Sequence, residues 1–276
     1  MTTRILTAAV GILIGLVILF FADTLVFNAA LAVVSAIIVR ELFVAAKCTV
    51  FKSSYIVCML YVAALPFLSE AFLLPYRYMF TTACIFFLFL TYLLNFKTLN
   101  FDKLSFMVMS TAMVSLSIGC LLSIKNIDSI HGIFYVALTL AGAWIADSAA
   151  YFVGTLMGKH KLAPDISPKK TVEGAVGAIL LTGIFLALIS FGYMKYQETQ
   201  NIFFDVNYML IVVLGMASAV LGILGDLTAS LLKRQCQIKD YGHIMPGHGG
   251  MLDRFDSVLF VAPFINIILQ YVRIFN

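Results

Sequence analysis

Charged residues are scarce in this 276-residue sequence, where Asp, Glu, Lys and Arg together make up 12% of the chain. An ordinary soluble domain has about 25%. Hydrophobic residues instead reach 62%, and the mean hydropathy is +1.02. This composition excludes a soluble domain and a disordered chain, and because the apolar stretches are continuous rather than alternating, it also excludes a transmembrane barrel. We therefore expect a helical membrane protein.

Motifs of several other protein classes are also missing. The five cysteines are scattered without a C-x-x-C pair, so neither a disulfide-stapled fold nor a zinc site is indicated. There is no G-x-x-x-x-G-K-[ST] loop, G-x-S-x-G elbow or H-E-x-x-H motif, so hydrolases built on these devices are not indicated. The net charge of +4 contains no basic run interleaved with aromatics, and we expect no nucleic-acid partner.

Nine apolar stretches are each long enough to cross a bilayer, since a spanning helix takes about 20 residues. They cover residues 5–21, 25–46, 55–74, 78–95, 104–124, 131–154, 172–194, 208–232 and 257–274. The predicted fold class is all-α, a polytopic membrane helical bundle with about nine transmembrane helices. Residues 1–276 are predicted to form a single integral-membrane domain.

The cations sort to one side of this predicted path. Of the 18 Lys and Arg residues, 14 fall on one side of the membrane, and the other side has four: Arg77, Lys125, Lys195 and Arg273. The positive-inside rule then places the N-terminus in the cytoplasm and the C-terminus outside, in a multi-pass protein of the cell membrane.

Ionisable residues gather in the C-terminal half. In residues 1–126 the loops between the predicted spans are short and contain no cluster of residues that suggests chemistry. We interpret Arg40 and Glu41 as charges at a membrane boundary. Residues 131–276 contain two long, glycine-rich cytoplasmic joins. The catalytic site is therefore predicted in this half, on the cytoplasmic side.

The first of these joins follows a helix with a small-residue face. Asp147, Tyr151, Gly154 and Gly158 are spaced i, i+4, i+7 and i+11, so they share one face of a helix. A carboxylate on a glycine-lined face indicates a ligand or a neighbouring helix, because charge inside a span is usually functional. The alternative is a packing stripe with Asp147 merely solvated.

The Ser-Pro-Lys-Lys-Thr stretch at 167–171 precedes the predicted seventh span and is typical of a helix start. Lys169 and Lys170 add positive charge where backbone N–H groups point outward, an arrangement that favours phosphate. The alternative is a positive-inside anchor beside lipid headgroups.

The second join, over residues 225–256, is the more specific. One face of the predicted eighth helix carries Asp226, Ser230, Lys233 and Arg234. Asp253 and Asp256 are i, i+3 at the start of the predicted ninth helix, and a tight glycine turn at 246–250 lies between. Carboxylates at helix ends with cations and a glycine turn suit Mg²⁺ and a nucleoside triphosphate. A loop of ordinary salt bridges would not account for this placement.

The stretch 230–256 resembles the signature of the phosphatidate cytidylyltransferase (CDP-diacylglycerol synthase) family. The matching residues are Ser230, Lys233, Arg234, Lys239, Asp240, Gly242, Pro246, His248, Gly249, Gly250, Asp253, Arg254 and Asp256. Met245 departs from the family, which usually has Leu, Ile or Phe there. Residues 147–174 are similar to its A-Y-x-x-G and S-P-K-K-T-x-E-G elements.

The resemblance implies transfer of CMP from CTP to phosphatidic acid, with CTP, phosphatidic acid and membrane lipid as partners. The predicted magnesium ligands are Asp226 and Asp253, with Asp147 and Asp256 as further ligands for the same ion or for a second cation whose identity the sequence leaves open. The predicted catalytic cations are Lys233, Arg234 and Arg254. The predicted substrate-binding residues are Ser167, Lys169, Lys170, Thr171, Ser230, Lys239, His248, Gly249 and Gly250.

Other functions stay open at this point. Within the enzyme class the alternatives are a cytidylyltransferase for another lipid phosphate and a lipid kinase related in fold. From other classes, a membrane transporter would use charged, broken helices, and a structural scaffold would need no nucleotide. The sequence is compatible with a homodimer and does not fix the acyl-chain preference.

Overall fold

The computed structural model describes residues 2–69, 72–245, 247 and 249–275, and most of them are helical. The helices are α1 (Thr2–Phe20), α2 (Leu25–Ala45), α3 (Lys52–Leu68), α4 (Leu74–Leu94), α5 (Phe101–Ile127), α6 (Gly132–Met157), α7 (Val172–Thr199), α8 (Tyr208–Gln235), α9 (Leu252–Phe255) and α10 (Val258–Tyr271). Two short strands, β1 (Lys161–Ala163) and β2 (Ser167–Thr171), lie between α6 and α7.

Each of the nine predicted apolar stretches coincides with a helix, so the helical membrane class is confirmed. By length and composition, six of the described helices are apolar enough to cross a membrane: α2, α4, α5, α6, α7 and α8. The exact number of spans and the orientation of the termini stay predictions.

The prediction of a purely helical chain misses one hairpin. Strands β1 and β2 pair antiparallel, with Lys161 opposite Thr171 and Ala163 opposite Ser167. This polar stretch has no apolar period for a helix, and Pro164 and Asp165 are turn residues. Within the described part of the chain the two strands have no further sheet neighbour, so Pro168 sits on an edge, where its missing N–H is tolerated.

The described residues form two compact units, of which the first comprises Met1–Leu122 and Gln235–Phe255. Within it, buried polar side chains join neighbouring apolar helices. Asn28 Nδ2 in α2 donates to the carbonyl of Pro66 at 3.0 Å, and Ser35 Oγ donates to the carbonyl of Val62 at 3.1 Å. Such bonds between helices add to van der Waals packing, because the hydrophobic effect does not drive apolar helices together in lipid.

The second unit comprises Ser123–Arg234 and Asp256–Asn276. Its helices approach closely through glycines. A Cβ on Gly174 in α7 would lie 2.7 Å from the carbonyl oxygen of Ala150 in α6, and one on Gly215 in α8 would lie 2.8 Å from the Cα of Gly183. The glycine stripe of α6 therefore does pack against a helix, and this contact brings the end of α6, β2 and the start of α7 together.

Candidate active site

A cavity of about 450 Å³ opens where α6 ends, α7 begins and α8 passes beside the hairpin. Five charged residues line it: Asp147, Lys161, Lys169, Lys170 and Asp226. Four of these were predicted as site residues from the sequence. Lys161 was not, because nothing in the sequence indicates that β1 pairs with the strand that carries the other two lysines.

The start of α7 is fixed by two side chains. Thr171 Oγ1 accepts a hydrogen bond from the Gly174 N–H at 3.2 Å, which makes Thr171 the N-cap, and α7 begins at Val172, as the predicted seventh span does. The helix start expected at Ser167 and Pro168 is wrong, because these residues pair in β2. The Glu173 carboxylate accepts the backbone N–H of Lys159 at 3.0 Å and contacts His160 Nδ1 at 2.6 Å. These contacts hold the chain after α6 against α7.

Lys169 and Lys170, which were expected at a helix N-terminus, lie on β2 immediately before α7. Lys170 Nζ forms an ion pair with Asp226 Oδ2, and Ser230 Oγ donates to Asp226 Oδ1 at 3.2 Å. The predicted common face of Asp226 and Ser230 on α8 is thus confirmed. Lys169 is exposed, and Ser167 begins the strand.

Negative charge is concentrated near Ser257. Its hydroxyl lies 3.2 Å from Asp147 Oδ2, and its N–H donates to Asp256 Oδ1 at 2.7 Å. Burial, followed by repulsion from the Asp226 and Asp147 carboxylates, raises the pKa of Asp256 to about 8. Three of the predicted metal ligands therefore interact electrostatically within one unit.

The two cations at the end of α8 have different surroundings. Arg234 Nε donates to the carbonyl of Ile166 in the hairpin turn at 3.3 Å. The positive charge of Lys233 lowers the pKa of Asp256, although burial and the two other carboxylates outweigh it. The structure thus shows Arg234 supporting the hairpin, and its predicted contact with phosphate stays a prediction.

The remaining predicted residues lie in the first unit, around the glycine turn. Asp253 Oδ2 accepts the N–H of Gly250 at 2.9 Å and that of Tyr241 at 3.1 Å. The Met245 N–H donates to the Gly249 carbonyl at 3.1 Å, and Gly249 has φ +87°. The predicted turn is confirmed over its described residues, whereas Pro246 and His248 lie outside them. Lys239 and Arg254 are exposed.

The predicted ninth helix is divided in two. Asp253 lies in α9, which ends at Phe255, and α10 begins at Val258. Asp256 lies in the break, where its side chain binds the N–H of Ser257 in place of a helical bond. The placement of Asp253 and Asp256 one turn apart on a single helix is therefore wrong, and the pairing of Asp226 with Asp253 stays a prediction.

The predicted position of Glu41 at a membrane boundary stays a prediction, but the structure shows that its side chain does not reach solvent. The residue is only 2% exposed, and its carboxylate accepts the N–H groups of Met251 at 3.0 Å and Leu252 at 2.8 Å. Its bonding partners lie about 210 positions further along the chain, so no local pattern could have revealed them.

The carboxylates near Ser257 suit a Mg²⁺ ion that is bound partly by the protein and partly by phosphate oxygens and water. Among the residues that the structure describes, no three His, Cys, Asp or Glu side chains form a ready-made metal cage. Mg²⁺ prefers one or two carboxylates completed by phosphate oxygens and waters. The mutual repulsion of Asp147, Asp226 and Asp256 is what a cation at this position would relieve.

Comparison with known families matches residues 2–272 to the cytidylyltransferase family. Phosphatidate cytidylyltransferase of Bacillus subtilis (strain 168) is 41% identical to the chain over 183 residues, which are 66% of this chain and 64% of that protein. The enzyme of the same name from Staphylococcus aureus (strain COL) is 40% identical over 183 residues, covering 64% of this chain and 65% of that protein. The matched segment is thus slightly less than two thirds of these relatives. Because the family match extends over nearly the whole sequence, the resemblance is confirmed and the chain belongs to the cytidylyltransferase family.

Proposed function

We propose that the protein transfers CMP from CTP to phosphatidic acid, giving CDP-diacylglycerol and pyrophosphate. An oxygen of the lipid phosphate attacks the α-phosphorus of CTP, forming the new P–O bond. The bond from the α-phosphorus to the α–β bridging oxygen breaks, and pyrophosphate leaves with the electron pair. A phosphate monoester is largely a dianion at pH 7, so its oxygen needs no strong general base.

The cavity between the hairpin and α8 is the observation that carries this proposal. Its lysines suit the phosphates of CTP and of the lipid, and its aspartates suit a cation that accompanies a triphosphate. The face of α6 next to it is apolar and outward-facing, since Phe152 is 64% exposed and Leu156 is 81% exposed. A lipid could therefore present its phosphate sideways while CTP arrives from water.

The residues divide by the charge that they meet. Lys161, Lys169 and Lys170 bind phosphate oxygens, while Ser167, Thr171 and Ser230 supply hydroxyl groups. Lys233, Arg234, Arg254 and Lys239 would add positive charge for the triphosphate, and Gly249, Gly250 and His248 are proposed as further substrate-binding residues. This work is positioning and charge stabilisation, as in other phosphoryl transfers.

Asp226 and Asp253 would hold Mg²⁺, with Asp147 and Asp256 as further ligands of this ion or of a second cation. When bound, Mg²⁺ would neutralise charge that develops on the phosphates. Asp226 supports this role through its position beside the cavity and its electrostatic interaction with Asp256.

The proposed topology has nine spans, a cytoplasmic N-terminus and an external C-terminus. The distribution of cations supports it, with 14 of 18 on the predicted cytoplasmic side. The cavity lies at the lysine-rich end of α6 and so faces the cytoplasm in this proposal.

The proposed reaction is compatible with a homodimer. Light scattering of the purified protein measures the oligomeric state.

One assay tests the reaction and its acceptor together. Detergent-purified protein receives labelled CTP, Mg²⁺ and a panel of lipid phosphates that includes phosphatidic acid and an isoprenoid-ether phosphate, and products are identified by mass. We expect CDP-diacylglycerol as the main product. If only the ether lipid gives a product, the acceptor is that lipid phosphate and not phosphatidic acid. If no lipid of the panel gives a CDP-lipid, the proposed reaction is overturned.

The metal assignment needs a separate variant. Asp226→Asn should lower turnover by about 100-fold or more, as loss of a preorganised electrostatic group does. Asp205→Asn, in the exposed segment before α8, is the matched control and should keep normal turnover. Normal turnover of Asp226→Asn would remove this residue from the site without affecting the reaction itself.

A further inference from the structure

Glu41 is a buried acid whose two oxygens are both engaged. It lies near the C-terminal end of α2 and is 2% exposed. Oε1 accepts the N–H of Met251 at 3.0 Å, and Oε2 accepts that of Leu252 at 2.8 Å. Burying a carboxylate is costly unless hydrogen bonds compensate for the lost water. These two bonds therefore make the burial of Glu41 possible.

Two glycines of the signature stretch are pressed against this carboxylate. A Cβ on Gly250 would lie 2.6 Å from Glu41 Oε1, and a Cβ on Gly242 would also collide with Oε1. Any other residue at either position would displace the glutamate. The glycine at each position is therefore explained by the close approach of Glu41 to the loop backbone.

The same loop carries Asp253. The N–H of Gly250, the residue before Met251, donates to Asp253 Oδ2 at 2.9 Å, and the N–H of Tyr241 donates to the same oxygen at 3.1 Å. Consecutive backbone N–H groups are thus shared between two acids: Gly250 binds Asp253, and the next two residues bind Glu41. A shift of this backbone away from Glu41 would change the orientation of the Asp253 carboxylate.

We infer that Glu41 is a positioning residue of the cytidylyltransferase reaction, which fixes the 249–252 backbone and through it the carboxylate of Asp253. This inference rests on the proposed function, in which Asp253 serves the triphosphate and its cation. Glu41 itself touches neither substrate, and its effect is transmitted by the loop.

The test replaces one acceptor oxygen at constant size. In Glu41→Gln the new NH₂ group faces a backbone N–H, so one of the two bonds is lost. Glu41→Asp keeps the charge and both acceptors on a shorter side chain. Ser35→Ala is the matched control, because it removes a buried hydrogen bond from the same helix without touching the loop.

Two measurements are made on each full-length variant in detergent: amide hydrogen exchange of the peptide covering 241–253, and steady-state kinetics with CTP and phosphatidic acid. For Glu41→Gln we expect faster exchange in that peptide, a fall of about tenfold or more in kcat/KM for CTP, and KM for the lipid within about twofold of the original. Glu41→Asp should recover part of both losses. Ser35→Ala should leave the exchange of the peptide and KM for CTP unchanged, with thermal stability measured alongside.

Unchanged exchange of the peptide in Glu41→Gln would overturn the inference. So would faster exchange with normal kinetics, or a loss of activity that only follows the folded fraction while KM for CTP stays constant. Because hydrogen exchange does not require turnover, a failure of the loop contact is distinguishable from a failure of the proposed reaction, which would appear as absence of CDP-lipid in the unmodified protein.

Discussion

Lys170 in β2 and Asp226 in α8 form an ion pair across the cavity wall, with side chains 20% and 27% exposed. This pair joins the hairpin to α8. In the proposed reaction the two residues have different ligands, since the ammonium meets phosphate and the carboxylate meets a cation. Binding of CTP with its metal ion should therefore separate them.

The first prediction concerns the lysine of this pair. Lys170→Ala should raise KM for CTP by about 10- to 100-fold, because a hydrogen bond to a charged group is worth about 1.5–3 kcal/mol. Its thermal stability should change little, because a partly exposed ion pair contributes at most about 1 kcal/mol. Steady-state kinetics and thermal unfolding in detergent measure both effects.

Lys169→Ala is the matched comparison on the adjacent, exposed position of the same strand. We expect a smaller rise in KM. If Lys170→Ala leaves both kcat and KM unchanged, the two lysines act only as a membrane-surface anchor.

The amino-acid sequence predicts features that arise from local periodicity. The positions of the apolar helices and the common face of Asp226 and Ser230 both follow from spacing along one segment. The hairpin and the division between α9 and α10 do not, because the first depends on pairing of short polar strands and the second on local side-chain competition at Asp256.

Contacts between distant segments account for most of the site that the sequence could not predict. Lys161 enters the cavity because β1 pairs with β2, and Glu41 is buried because the loop from the other end of the chain covers it. A single charged residue near a helix end is compatible with many surroundings. Only the tertiary structure decides among them.

The second prediction concerns the close packing of α6 against α7. Gly174→Ala should destabilise the protein by about 1–3 kcal/mol, because the new methyl group would lie 2.7 Å from the carbonyl oxygen of Ala150, which is main chain and cannot rotate away. For Gly192→Ala in the same helix, no atom of the described residues outside the adjoining helix backbone lies within 4 Å of the new Cβ, so this variant should be neutral or slightly stabilising. Thermal unfolding of both variants tests this prediction. Equal melting temperatures for Gly174→Ala and Gly192→Ala would contradict the packing argument.

The third prediction tests the proposed topology at the two ends of α7. In a background without the native cysteines, Lys159→Cys and Gln200→Cys place one exposed thiol before and one after this helix. A membrane-impermeant thiol reagent should label Gln200→Cys in intact cells and Lys159→Cys only in inverted vesicles. The reverse pattern would invert the orientation, and labelling of both positions from one side would mean that α7 does not span.

The last prediction concerns a histidine away from the cavity. His131 precedes α6 and is 6% exposed, with Nδ1 3.0 Å from the hydroxyl of Tyr193 and its ring packed against Phe204 and Phe275. Burial lowers the pKa of His131 from its ordinary 6.5, although the nearby Asp128 carboxylate partly opposes this. The folded protein therefore holds the neutral imidazole.

As the pH falls below 6.5, the unfolded chain binds a proton at this position before the folded protein does. The contribution of His131 to stability is therefore full above that value and decreases as the pH falls through the window beneath it. The raised pKa of Asp256 has the opposite effect, because the folded protein binds that proton first and gains stability as the pH falls from about 8. The effect of His131 is therefore measured as a difference: between about pH 8 and pH 5 the melting temperature of the original protein should fall relative to that of His131→Gln, which lacks the titrating group. The exposed His243→Gln should retain the original slope, so an identical slope in all three proteins would show that burial of His131 does not control this pH dependence.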